Sequence, residues 1–170
     1  ADGVETAECW ALAAASAGTP TVLALTRQSV PNLRQEPLGE NLSARGGYVL
    51  READGGRRAV TLIATGSEVG IAVKAMDLLA AKGVAAAVVS LPSFELFRKQ
   101  DAAYRQAVLG EAPRVAIEAA VGQGWCEWLR PTDAFIGLSD FGASAPAEVL
   151  YREFGITAEA VAAKVRSLLK

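Results

Sequence analysis

Short apolar runs alternate along the chain with longer segments in which apolar residues recur at helical spacing. The clearest helical segment covers residues 65–82, where the apolar side chains at 69, 72, 73, 76 and 79 return every three or four positions. The short runs on either side of it are rich in β-branched residues, which is typical of buried strands. Strands that alternate with helices predict a mainly parallel sheet covered on both faces.

This pattern predicts five strands after residue 45. They are expected at residues 48–51, 59–64, 86–91, 115–119 and 134–138, with helices at 65–82, 94–99, 101–109, 124–129, 145–154 and 158–169. Only a short turn at residues 54–56 separates the first two strands, so they are predicted to form an antiparallel hairpin. The predicted fold class is therefore α/β, a mainly parallel five-stranded sheet with one antiparallel edge strand and helices on both faces.

The beginning of the chain does not complete such a unit. Residues 2–17 are predicted to form a helix that is capped by Asp2, with Glu5 placed as in a capping box. Residues 21–26 form a short apolar run, interpreted as a buried strand. One helix and one strand cannot make a sheet, so residues 1–28 are predicted to be the tail of an upstream α/β domain.

The stretch between these two parts loses the periodic pattern. Residues 29–45 contain Pro31, Pro37 and Gly39 among polar residues, which predicts an exposed linker. The domain after it is predicted to cover residues 46–170. The chain begins with Ala1 rather than methionine, which suggests a processed chain or a fragment.

Composition narrows the classes of function. The net charge is −2 and lysine and arginine are not clustered, so no nucleic-acid partner is expected. No apolar run approaches the ~20 residues of a membrane span, and no signal peptide is visible. Cys9 and Cys126 follow no metal-binding spacing and are predicted to be reduced, mostly buried thiols, which favours a cytoplasmic location.

The chain contains no histidine. This excludes a histidine-based nucleophile relay and the common zinc sites within these residues. Carboxylates or lysines with shifted pKa values could still transfer protons, but no such pair is singled out by the sequence. We therefore predict no catalytic residue in this segment, and a reaction completed by residues outside it.

Several other motifs carry a chemical and a structural interpretation. The turn at residues 65–70 could hold an anion at a helix N-terminus, but its glycine spacing matches neither a dinucleotide fingerprint nor a P-loop. A tight turn with a T-x-x-E helix cap is the favoured interpretation. Glu118 ends an apolar strand, where a hydrogen-bonded or interface role is favoured over a carboxylate with a raised pKa. Trp10, Trp125 and Trp128 are interpreted as packing or interface residues, and loop 141–146 as the entry to a helix.

Arg27 is the candidate binding residue. It directly follows the apolar run at 21–26, and ligands of open α/β sheets gather beyond the carboxyl ends of strands. A guanidinium group there can hold a phosphate through two parallel hydrogen bonds. From spacing alone, an ordinary surface salt bridge is the commoner role for such an arginine.

Short motifs in order along the chain resemble the transketolase family. They are DGVET at residues 2–6, ALTRQ at 24–28, RGGYVL at 45–50, ATGSEV at 64–69, VSLPS at 89–93, FGASAP at 141–146 and EFGIT at 153–157. Each motif is weak alone, and their order makes the set specific. The departures from the family pattern are small: Ser29 and Val30 follow the RQ pair in place of Asn-Leu, and Leu91 replaces methionine.

The resemblance implies the last quarter of a transketolase, which in the pentose phosphate pathway moves a two-carbon ketol unit between sugar phosphates. The family uses thiamine diphosphate and a divalent cation (Mg or Ca) at a homodimer interface. The cofactor and most catalytic groups lie on segments outside this one, so no cofactor or metal is expected to bind this segment alone. The one family residue that maps here is Arg27, which is implied to bind the sugar phosphate.

Two alternatives remain open from the sequence. One is the C-terminal domain of another thiamine diphosphate enzyme, such as a 2-oxo acid dehydrogenase β subunit or deoxyxylulose phosphate synthase, although the TRQ and FGASAP motifs argue against it. The other is a stand-alone binding or regulatory module, suggested by the self-contained α/β pattern after residue 45.

Overall fold

The computed structural model describes residues 1–35 and 39–170 and contains one five-stranded sheet. Its strands are β1 Tyr48–Arg51, β2 Val60–Ala64, β3 Ala86–Ser90, β4 Arg114–Val121 and β5 Ala134–Leu138. Their spatial order is β1-β3-β2-β4-β5, with β1 antiparallel to β3 and all other neighbours parallel. The predicted fold class is confirmed, including the antiparallel strand at one edge.

Six α-helices accompany the sheet in the described residues. They are α1 Gly3–Ala15, α2 Glu68–Ala80, α3 Phe94–Arg98, α4 Ala102–Leu109, α5 Ala147–Glu153 and α6 Ala158–Leu168, with 3₁₀ turns at Leu42–Arg45, Asp54–Gly56 and Gly122–Glu127. None of these helices is long and apolar enough to cross a membrane. Each predicted helix is present within a few residues, except that 124–129 forms a 3₁₀ turn.

Successive side chains of each strand point to opposite faces of the sheet, and this divides the core into two clusters, one on each face. On β2, Leu62 packs with α2 and α6, while Ile63 packs on the opposite face with α3, α4 and the segment that carries the tryptophans. Successive side chains of a strand point to opposite faces, so a central strand with helices on both sides is apolar throughout. All five residues of β2 are buried, as this arrangement requires.

The predicted hairpin between the first two strands is wrong. β1 pairs with β3, with Tyr48 opposite Ser90, because both edges of β2 are already taken by the parallel strands β3 and β4. The short connection through residues 54–56 therefore carries the chain across β3 rather than reversing it beside β1. A short turn favours a hairpin only where the next strand has a free edge.

The predicted strand at residues 21–26 is also wrong in this structure. The segment is not part of a sheet, and Val22 and Leu25 are 90% and 54% exposed. A strand needs a neighbour for its backbone hydrogen bonds, and no described residue supplies one here. The apolar run indicates a tendency to be buried, but it does not show whether a neighbouring strand is present to pair with it.

The predicted exposed linker is only partly exposed. Leu33 and Arg34 are buried, and residues Leu42–Arg45 form a 3₁₀ turn that packs near α1. Arg34 is buried because it donates hydrogen bonds to Asp2, the N-cap of α1, and to Glu8 on α1. Residues 36–38 of the predicted linker lie outside the described residues.

Candidate functional site

Arg27 lies near the end of residues 16–30, which follow α1 and form neither helix nor strand; we call them the Arg27 segment. Asp2 caps α1, because its side chain accepts a 2.7 Å hydrogen bond from the backbone N–H of Glu5. The predicted helix and its Asp2 cap are thus confirmed, but Glu5 does not complete a capping box, because its carboxylate bonds the Ala1 amino group, Tyr48 and Ser90 instead. Within this segment the chain bends at residues 27–28, where the backbone N–H of Gln28 donates to Thr26 Oγ1 at 3.1 Å. Arg27 is exposed, and among the described residues it has no carboxylate within salt-bridge distance.

A cavity of about 520 Å³ lies beside this segment, beyond the carboxyl ends of β2 and β4. Thr26 and Gln28 line it, whereas Arg27 between them does not. Its other walls come from α1, from the turn after β2, and from Pro92, Glu118 and Tyr151. The structure therefore places Arg27 next to the switch point of the sheet, where α/β proteins bind ligands, but outside the cavity itself.

A chain of hydrogen bonds joins the residue after Arg27 to residues 46–170, which contain the sheet and which we call the sheet domain. Gln28 Nε2 donates to the Tyr151 hydroxyl at 3.2 Å, and that hydroxyl donates in turn to Glu68 Oε1. Ser67 Oγ donates to the same carboxylate oxygen at 2.9 Å. Burial, followed by the bond to Glu68, raises the pKa of Tyr151, so this hydroxyl remains protonated.

The predicted T-x-x-E cap at the start of α2 is wrong. Ser67 occupies the N-cap position without a side-chain cap bond, and Gly66 takes a left-handed conformation with φ of 54°. Glu68 is the first helical residue rather than the third, so its side chain turns away to Tyr151. The tight-turn interpretation is confirmed. The polar side chains Ser67 and Glu68 do not cap α2, and Glu68 instead binds Tyr151 on α5.

The other candidate residues have structural roles. Glu118 Oε2 accepts a 2.6 Å hydrogen bond from Trp125 Nε1, which confirms its hydrogen-bonded role. Trp125 and Trp128 are buried in the second core cluster, whereas Trp10 is 55% exposed on α1. Loop 141–146 is exposed and leads into α5, as predicted.

The two cysteines differ. Both are free thiols, and Cys9 is half-buried, where burial raises the pKa of its thiol. Cys126 is exposed, so the expectation that both thiols are mostly buried is wrong for it. Cys126 lies in the 3₁₀ turn Gly122–Glu127, where Trp125 rather than Cys126 points into the core.

Sequence reasoning missed a buried polar contact that fixes α1 to the rest of the chain. Arg34 Nη1 donates to both oxygens of Glu8, at 3.0 and 3.1 Å, and the Arg34 backbone N–H donates to Asp2 Oδ2 at 2.9 Å. Ser43 Oγ adds a 2.7 Å bond to Glu8. Arg34 also lies over the Tyr48 ring, 5.0 Å from its centre.

Glu5 continues this contact to the sheet edge. Its Oε2 accepts hydrogen bonds from Tyr48 on β1, at 2.9 Å, and from Ser90 on β3. Burial, followed by the neighbouring Glu5, raises the pKa of Tyr48 well above its usual range. We call Asp2, Glu5 and Glu8 the α1 carboxylates. Their spacing of three residues on an alanine-rich helix was the signal that could have indicated a polar buried face.

The described residues do not fit the cofactors that the resemblance implies. No group of three acidic, cysteine or histidine side chains among them could hold a metal ion. The cavity beside Arg27 is lined by four acidic residues and by no lysine or arginine, so it would repel a free diphosphate; the four are Asp2, Glu5, Glu68 and Glu118. The binding of thiamine diphosphate and its cation has no basis in these residues.

Comparison with known proteins decides the family. Residues 46–157 match the model of the transketolase-like TK C-terminal domain. The chain belongs to the transketolase family. A transketolase of Cereibacter sphaeroides is 60% identical over 95% of this chain, and one of Sinorhizobium medicae is 57% identical over all of it. The solved transketolase from Leishmania mexicana superposes on 99% of the chain with a TM-score of 0.88 and 40% identity.

The transketolase relatives are much longer than this chain. It spans 24% of the length of both bacterial transketolases and 24% of the Leishmania mexicana chain. The family match begins at residue 46, where the second predicted domain begins. The resemblance read from the motifs is confirmed, and it favours a transketolase over the other thiamine diphosphate enzymes considered above.

Proposed function

We propose that this chain is the C-terminal part of a transketolase and that Arg27 binds the phosphate of its sugar substrates. The complete enzyme transfers a two-carbon ketol unit between sugar phosphates in the pentose phosphate pathway. Membership of the transketolase family supports the reaction. The site rests on one observation: Arg27 is an exposed arginine without an acidic partner among the described residues, beside the ligand-binding edge of the sheet.

The donors of Arg27 differ from those of the paired arginines. Arg34, Arg58, Arg98 and Arg130 each lie within salt-bridge distance of a carboxylate. Such pairing occupies the donors that a phosphate would need. The donors of Arg27 are not engaged in that way, and a guanidinium matches two phosphate oxygens at once. Arg57, Arg152 and Arg166 also have no carboxylate within salt-bridge distance among the described residues, so the position of Arg27 beside the edge of the sheet distinguishes it from them.

The remaining chemistry is assigned to other parts of the enzyme. In the complete enzyme, thiamine diphosphate and a divalent cation would supply the chemistry of ketol transfer, and residues outside this chain would hold them. Neither is proposed to bind the described residues: the acidic cavity would repel a diphosphate, and no group of three acidic, cysteine or histidine side chains among these residues could hold the cation. The complete enzyme is proposed to act as a homodimer in the cytoplasm. This chain contributes phosphate binding, which helps to orient the sugar for reaction.

The phosphate role is tested by replacing Arg27 with alanine in the full-length enzyme. We expect KM for xylulose 5-phosphate to rise about 10- to 100-fold, as expected for the loss of a charged hydrogen bond. KM for hydroxypyruvate, which carries no phosphate, should stay unchanged. Arg27→Lys keeps the charge but loses the paired geometry, so it should fall between the wild type and Arg27→Ala.

Arg57→Ala is the matched control, because Arg57 is also exposed and lies in the sheet domain, just after the 3₁₀ turn Asp54–Gly56. It should leave both KM values unchanged. If Arg27→Ala raised the KM values of both donors by the same factor, Arg27 would not bind phosphate.

A further inference from the structure

We propose that Tyr151 and Glu68 are positioning residues that hold Arg27 in place for phosphate binding, by fixing its neighbour Gln28. This inference rests on the proposed role of Arg27. The proposal assigns a function to Ser67 and Glu68 in the turn after β2, whose side chains do not cap α2.

The protons in the contact can be assigned from the chemistry of the groups. Glu68 is an acceptor, so it takes the Tyr151 proton, and Ser67 Oγ donates to it as well. The Tyr151 oxygen is then free to accept from Gln28 Nε2, at 3.2 Å. The chain of donors therefore runs in one direction, from the Arg27 segment towards the sheet domain.

The two ends of this contact differ in how they are held. Glu68 is only 6% exposed and follows β2, the central strand of the sheet. Tyr151 is half-buried on α5 and packs against the main core cluster. The Arg27 segment, in contrast, has no strand pairing among the described residues. The hydrogen bond between Gln28 and Tyr151 therefore connects the Arg27 segment to a part of the fold that is packed against the core.

Fixing Gln28 also restricts Arg27. Adjacent Cα atoms are about 3.8 Å apart, and the Gln28 backbone is further tied to Thr26 by a 3.1 Å bond. Arg27 lies between two residues that are both engaged, with its own side chain outside the cavity that they line. A shift of about 1 Å at such a group can cost a large factor in activity, so a contact on the neighbouring residue can affect phosphate binding.

The test uses the full-length enzyme and two single variants, Tyr151→Phe and Gln28→Ala. Each removes one partner of the same hydrogen bond, and Tyr151→Phe retains the ring. We expect either variant to raise KM for xylulose 5-phosphate about threefold to tenfold, the effect of losing a neutral hydrogen bond. KM and kcat for hydroxypyruvate should stay unchanged. The double variant should be no worse than the more affected single variant, because both act through one contact.

A further variant combines Tyr151→Phe with Arg27→Ala. If Tyr151 acts through Arg27, it should cause no additional loss once Arg27 is gone. Tyr104→Phe is the matched control: the Tyr104 hydroxyl donates to the Gly47 carbonyl at 2.8 Å, far along the chain from Gln28. That variant loses the same kind of bond and should leave both KM values unchanged.

The outcomes separate the two proposals. If Arg27→Ala discriminates between the donors but neither Tyr151→Phe nor Gln28→Ala does, the positioning role is overturned and phosphate binding by Arg27 stands. If Arg27→Ala itself fails to discriminate, the proposed function falls first. Equal changes for both donors in Tyr151→Phe would indicate a purely structural residue. Gln28→Ala probes the same contact from the exposed segment if Tyr151→Phe does not fold.

Discussion

Residues 1–35 and residues 46–170 place their apolar and charged side chains in opposite ways. The sheet domain buries hydrocarbon, with Leu62 and Ile63 fully inaccessible, and leaves most charges outside. Helix α1 does the reverse, because Asp2 and Glu5 are buried while Trp10 is more than half exposed. The two regions therefore bury groups of different polarity.

An apolar pattern predicts burial correctly where another apolar face is present to cover it. In the sheet domain each apolar face meets another apolar face within the described residues, so the pattern and the burial agree. In the first region the buried face of α1 is fixed by hydrogen bonds to its carboxylates instead. Burying a charge costs free energy unless it is paired and hydrogen-bonded, and Arg34, Tyr48 and Ser90 supply those partners.

Removing Arg34 should break this arrangement most strongly. Arg34→Ala leaves the buried Asp2 and the partly buried Glu8 without their cation, and breaking a buried pair in this way typically costs about 3–5 kcal/mol. We expect α1 to detach locally, so that hydrogen exchange of its amides accelerates at least about 100-fold while amides of β2 remain protected. Arg98→Ala, which removes an exposed pair with Glu127, should leave the exchange of α1 unchanged. Equal acceleration in α1 and β2 would mean that the two regions unfold as one unit.

Leu62→Ala tests the other side of the comparison. Leu62 is fully buried at the centre of the sheet, and truncating a core leucine costs about 2–5 kcal/mol through lost contacts and a residual cavity. We expect the free energy of unfolding of the 170-residue chain, measured by denaturant titration, to fall by this amount. A loss below about 1 kcal/mol would show that the apolar core does not dominate the stability of this region.

Leu25→Ala is the same substitution in the first region and should have the smallest effect. Leu25 is 54% exposed, and exposed substitutions usually change stability by less than about 0.5 kcal/mol. In the full-length protein the cost should be larger if upstream residues cover this segment and pair with it as a strand. Denaturant titration of the 170-residue chain and of the full-length protein, each with and without Leu25→Ala, measures the two losses of unfolding free energy. Equally small losses in both would show that no upstream residues cover Leu25.

Much of the fold of the sheet domain could be predicted from sequence. Strands β2 and β3 combine β-branched residues with full burial, and α2 has a regular apolar stripe, so local pattern and global fold agree there. The partner of β1 could not be predicted in this way. Its pairing with β3 depends on both edges of β2 being taken, which is a property of the assembled sheet.

The site was less predictable than the fold. Arg27 could be identified from the strand-end position and the family motif, and its role remains a prediction. The contact between Gln28 and Tyr151 could not, since 123 residues separate them and neither side chain is unusual in its local sequence. The α1 carboxylates showed a regular spacing, but their partners are donated by three separate segments of the chain.

The hydrogen bond between Glu5 and Ser90 also has a consequence for synthesis on the ribosome. These residues are 85 positions apart, so α1 emerges long before the last of its donors exists. At roughly 5–20 residues per second, Ser90 follows Glu5 by about 4–17 s, and until then the Glu5 carboxylate lacks this donor. The contact of α1 with β3 is therefore completed late, although α1 precedes every strand of the sheet along the chain.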